Sequence, residues 1–146
     1  MTSPDALHLI RRGILAVLAF GCVGLIAELL LLEHYAELAQ LPPLVLLSLT
    51  LVTILWHWLD KGPKSLRALQ VVALLLVMAG AVGMYLHFGS NMEFERELEP
   101  DLVGMPFWIN VIRGATPTLA PGTLVQFGLL GLLYAYRHPA RTAPGA

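Results

Sequence analysis

Apolar residues run along the chain in four blocks, separated by short clusters of charge, proline and glycine. The blocks cover 13–32, 44–59, 66–88 and 118–136. A helix needs about 20 apolar residues to cross a hydrocarbon core, and these segments are near that length. The third is the cleanest, because only Arg67 and Gln70 near its start and His87 at its end are strongly polar. In the fourth, the apolar stretch proper is 124–136 and contains Gln126, so it reaches across only if its helix begins near Ala120-Pro121-Gly122. Proline suits a first helical turn, where its missing N–H leaves nothing unpaired. The pattern predicts an all-α, polytopic integral membrane protein. It has one domain, 1–146, of four transmembrane helices with a long loop at 89–117.

Composition removes the soluble alternative. Of 146 residues, 57% are hydrophobic, and the mean hydropathy is +0.72. A soluble domain of this size could not bury so much apolar surface. Charge then sets the orientation. Arg11, Arg12, Lys61, Lys64, Arg67, Arg137 and Arg141 fall on one side of four crossings, and Arg96 and Arg113 on the other. The side rich in Lys and Arg faces the cytoplasm. Both termini are expected there, in a membrane of the bacterial inner type, and the loop 89–117 is expected outside. A cleaved signal peptide is the competing account of the N-terminus. The apolar stretch after Arg11-Arg12 is longer than a signal core and lacks a small-residue cleavage pattern, so it is expected to stay in the membrane.

The outer loop opens with NMEFERELEP, in which Glu93, Glu95, Glu97 and Glu99 alternate with Phe94, Arg96 and Leu98. That alternation fits an extended segment with one acidic face, although a solvated acidic run is the plainer reading. The stretch 104–114 follows, aromatic and bounded by glycines. It is too short to span, and reads as an interfacial or re-entrant helix over the mouth of the bundle.

Spans one and three carry an internal echo: GCVGLIAE at 21–28 and GAVGMYLH at 80–87. Helical spacing puts Gly21, Gly24 and Glu28 on one stripe and Gly80, Gly83 and His87 on another, with Ala79 beside the second. Small residues let helices approach closely in lipid, so these stripes are the expected packing surfaces. Because Glu28 shares its face with the glycines, it is expected to point into the helix–helix contact on the inward face of span one, toward a partner or water and away from hydrocarbon.

Glu28, His34, His87 and Glu93 all belong to the outer half of this arrangement. Imidazole and carboxylate together suit zinc, manganese or iron, so the four form a candidate proton or divalent-metal site. Haem is disfavoured: only His34 and His87 could face one iron, and both lie near the water interface. His57, between Trp56 and Trp58 at the other face, reads as part of an interfacial anchor. Cys22 is the only cysteine. No HExxH, nucleophile elbow or phosphate-cradling loop occurs, and no Lys/Arg cluster is large enough to hold nucleic acid. The expectation is a small non-enzymatic membrane protein acting as a homo-oligomer or as an accessory subunit of a larger membrane complex. Its expected partners are membrane lipid and either further copies or other membrane subunits. The alternative is a small transporter or membrane metalloprotein that uses Glu28 and His87.

Overall fold

The computed structural model describes residues 3–141, which form five α-helices and two single 3-10 turns, with no strand among them. The helices are α1 (Ser3–Leu31), α2 (Leu41–Asp60), α3 (Pro63–Leu98), α4 (Met105–Arg113) and α5 (Gly122–Ala135). Three of them, α1, α2 and α3, are long and apolar enough to cross a membrane.

Local chemistry sets most of the boundaries. α1 stops where Glu33 takes a left-handed φ of 52° and the His34 N–H turns back to the Leu29 carbonyl at 2.8 Å. α2 starts on the Pro42-Pro43 pair and ends when Lys61 adopts φ 53°, its N–H returning to the His57 carbonyl. Only Lys61 and Gly62 separate α2 from α3, which opens on Pro63. The Asp60 carboxylate accepts from the Gly62 N–H at 3.0 Å and from the Ser65 hydroxyl at 2.8 Å, tying this tight corner together.

α3 overturns one expectation. Residues 89–98 continue the helix as far as Leu98, where the sequence reads as the start of the outer loop, a solvated acidic run or an extended segment. At 36 residues the helix is about 54 Å long, well beyond the about 30 Å of a hydrocarbon core. Glu, Arg and Leu are good helix formers. Asn91 and Glu95, four apart, are both buried by the segment that follows. The same stretch therefore satisfies a helical period once α4 packs against it.

α1, α2, α3 and α5 pack as a ring. α1 lies against α2 and α5, α3 lies against the same two, and α1 and α3 stand across the diagonal. The closest approach is between α3 and α5. A Cβ on Gly80 would meet the Pro121 carbonyl oxygen at 2.7 Å, and one on Gly83 would meet the Pro121 ring. Gly128 sits against the carbonyl of Ala73, and Gly131 against its side chain. These pairs make α5 antiparallel to α3. α5 itself has 14 residues. Together with the turn before it, the segment runs beside α3 from the level of His87, whose Nδ1 is 3.0 Å from the Pro117 carbonyl, down to Leu66 and Leu69, which pack with Tyr134 and Ala135.

The core of the ring is Leu18, Cys22, Leu47, Leu76 and Leu124. Large apolar side chains also cover the outside, including Val17 and Phe20 on α1, Val52 on α2 and Val71 and Met78 on α3. A bundle apolar on both its inner and outer faces is suited to lipid, not water.

Candidate functional site

The four residues expected to form an outer proton or metal site lie on separate parts of the bundle, and among the described residues they form no group of three ligands. Glu28 is exposed on α1, and among the described residues its carboxyl has no hydrogen-bond or ion-pair partner. His87 is half-buried and engaged with the Pro117 carbonyl, His34 is half-buried, and Glu93 is exposed. Among the described residues no three His, Cys, Asp or Glu side chains converge as metal ligands. The topology gives the reason, since Glu28 and His87 are carried by the two diagonal helices. α5 adds to it. Its antiparallel register places Phe127 on Gly21 and Gly131 near Leu18. Seven residues further along α1, Glu28 therefore comes level with the turn before α5 begins, and no helix covers it.

The packing residues divide in the same way. Gly21 receives the Phe127 ring, Gly80 and Gly83 receive Pro121, and Ala79 packs at the edge of the core. Gly24 faces open space, with nothing within 4 Å of the position a Cβ would take. The outward face of α1 thus carries Phe20, Gly24, Ala27, Glu28 and Leu31, all exposed. A small residue and an ionisable one sit in the middle of an otherwise apolar stripe.

Above the ring, Asn91 organises the return of the chain. Its Nδ2 donates to the carbonyls of Val111 (3.1 Å) and Thr116 (2.7 Å) and to the Thr118 hydroxyl (3.0 Å). Its Oδ1 accepts from the Thr116 N–H and hydroxyl. One turn further on, buried Glu95 accepts from Asn110 of α4 at 3.2 Å. α4 turns Phe107 and Val111 inward and leaves Met105, Trp108, Ile109 and Ile112 exposed on one stripe. Phe88 stacks on Trp108.

A second cluster of polar chemistry lies at the opposite end, where the first turns of α1 meet the end of α5. His57 is 2% exposed, while its neighbours Trp56 and Trp58 are 46% and 61% exposed. His57 is therefore not part of an aromatic anchor, contrary to the sequence reading. Its spacing could have revealed it: Thr50, Thr53 and His57 fall on one helical stripe, and all three are buried. The two threonine hydroxyls turn back to the carbonyls of Leu46 and Thr50. The His57 Nδ1 lies 2.9 Å from the Ser65 Oγ. Because Ser65 can give its single proton to the Asp60 carboxylate, the consistent arrangement is imidazole N–H to hydroxyl to carboxylate. That direction leaves Ser65 fully buried with its proton committed, which is not the arrangement of an activated nucleophile.

His57, Tyr134 and His138 pack ring against ring, with centroids 5.0 to 5.6 Å apart. His138 lies beyond α5. Burial, and then the charges of His57, Arg11 and His8, push its pKa down to about 4. Arg11 donates from Nη2 to the carbonyls of Tyr136 (3.3 Å) and Arg137 (2.9 Å), binding the start of α1 to the end of α5. Beside this cluster opens a cavity of about 540 Å³. Cationic side chains, imidazoles, Tyr134, Trp58 and leucines line it.

No protein-family model, curated protein or solved structure matches the chain.

Proposed function

We propose that the protein is a non-enzymatic integral membrane protein that crosses the bilayer four times, with both termini cytoplasmic, and acts through association in the membrane. Either it is a homo-oligomer or it is an accessory subunit of a larger complex. The fourth crossing is made by α5 with its preceding turn, antiparallel to α3 over the length between His87 and Leu66. Seven of nine Lys and Arg residues then lie inside. α4 rests at the outer interface, with its Met105, Trp108, Ile109 and Ile112 stripe toward the acyl chains.

The observation that carries the reading is the exposed carboxyl of Glu28, one helical turn past open Gly24. An ionisable group within a spanning segment costs several kcal/mol against lipid and normally has a polar neighbour. This chain supplies none among its described residues, so a second chain is the source. Gly24 lets that chain approach closely. In a homo-oligomer two carboxyls can share a proton; in a heteromeric complex a basic or hydroxyl side chain takes that place. The test is the molecular mass of the protein extracted in mild detergent. A mass above that of one chain is expected, reduced to one chain by Glu28→Leu without loss of thermal stability of the bundle. A wild-type protein extracted as a single chain would contradict the reading.

A further inference from the structure

We infer that the cavity between the start of α1 and the end of α5 is a binding site for a phosphate-bearing anion, occupied by the head group of an acidic phospholipid. At about 540 Å³ it has the size of a small-ligand site. Arg11, Arg12, Lys61, His8, His57 and His138 contribute to its wall, and among the described lining residues there is no carboxylate. Asp60, next to Lys61 in the chain, has an oxygen already held by the Gly62 N–H and the Ser65 hydroxyl. Arg11 is fixed at the wall by the carbonyls of Tyr136 and Arg137, so its charge is positioned before any ligand arrives. A guanidinium pair with a lysine is a chemistry suited to phosphate oxygens.

Depth and lining favour a lipid source over a soluble one. Arg11 and Arg12 directly precede the apolar run of α1. Trp58 and Tyr134 stand at the ends of α2 and α5, the level at which aromatic side chains meet head groups. Leu7, Leu15 and Trp58 form apolar parts of the wall, fit for the glycerol and first methylenes of a lipid. Basic pockets between helices on the cytoplasmic side hold acidic head groups for these reasons. The inference does not depend on the outer face of α1.

The test uses the full chain in detergent, with native mass spectrometry and thermal unfolding. Dioleoylphosphatidylglycerol, dioleoylphosphatidylcholine and inorganic phosphate are added separately. The phosphatidylglycerol complex should be preferred over phosphatidylcholine and should raise the unfolding temperature. Arg12→Gln with Lys61→Gln should weaken it by about thirtyfold, the factor for two charges at head-group level. The charge-keeping pair Arg12→Lys with Lys61→Arg should retain it. Lys64→Gln with Arg67→Gln, which alters the same end of the bundle outside the cavity, should have little effect. Stabilisation by inorganic phosphate that also displaces phosphatidylglycerol would support the anion site and assign it a soluble occupant. Equal affinity for the two lipids, or equal weakening by both Gln pairs, would overturn the inference.

Discussion

Gly128 of α5 rests directly on the carbonyl of Ala73 in α3, and a Cβ there would also come within 2.9 Å of the Val77 nitrogen. Backbone cannot move aside as a flexible side chain can. Gly128→Ala should therefore cost about 1–3 kcal/mol through overpacking, and Gly80→Leu more. Gly24→Leu should leave the stability of a single bundle within about 0.5 kcal/mol, because it adds bulk to open space. Thermal unfolding of the three variants in detergent checks this ranking.

The acid limb of stability should report His138. Its pKa is pushed down to about 4 from an ordinary value of 6.5. Above pH 6.5 both folded and unfolded states hold it neutral, and it contributes no pH dependence. As pH falls from 6.5 toward 4, the unfolded chain takes up a proton that the folded one does not, so stability is lost across that window. His138→Gln should flatten this part of the profile in unfolding temperature measured against pH.

The Asn91 amide engages five polar groups of the returning segment, its two N–H protons shared among three acceptors and its Oδ1 accepting from two donors. Asn91→Leu leaves several of those backbone and hydroxyl groups unpaired, at about 1–3 kcal/mol for each one that stays buried. α4 should detach before the ring unfolds, so cleavage at Arg113 by trypsin should accelerate while the unfolding temperature of the ring changes little.

Crossing number is testable with single cysteines, because Cys22 is buried and should not react. Lys64→Cys and Arg137→Cys should be labelled from the cytoplasmic side and Ser90→Cys from the outside. Labelling of Arg137→Cys together with Ser90→Cys would mean that α5 does not cross.

The three long helices were readable because a membrane demands long apolar runs, and because Pro42-Pro43 and Pro63 mark helix starts chemically. The helical α4 was readable from its bounding glycines. Three things were hidden. Beyond Phe88 the chain leaves the apolar phase, so hydrophobicity no longer reports structure. The charges of 93–98 fit a period of two as well as a helix whose Asn91 and Glu95 face a later segment. The orientation of Glu28 was hidden too. Its alignment with Gly21 holds along α1, but α5 covers Gly21 and begins too late to cover Glu28. Helix periodicity gives the face, and only the register of the neighbour tells whether that face is buried. His57 was masked by the two tryptophans beside it, although its stripe with Thr50 and Thr53 pointed inward.

The most direct test of association through α1 places a photo-crosslinking side chain at Gly24 in native membranes, with Val71, exposed on the diagonal helix, as the control position. A defined protein adduct is expected from position 24 and none from position 71. The adduct should have the mass of two chains for a homo-oligomer or another discrete mass for a complex, and Glu28→Leu should greatly reduce it. Lipid adducts alone at position 24, or a protein adduct indifferent to Glu28→Leu, would contradict association through α1.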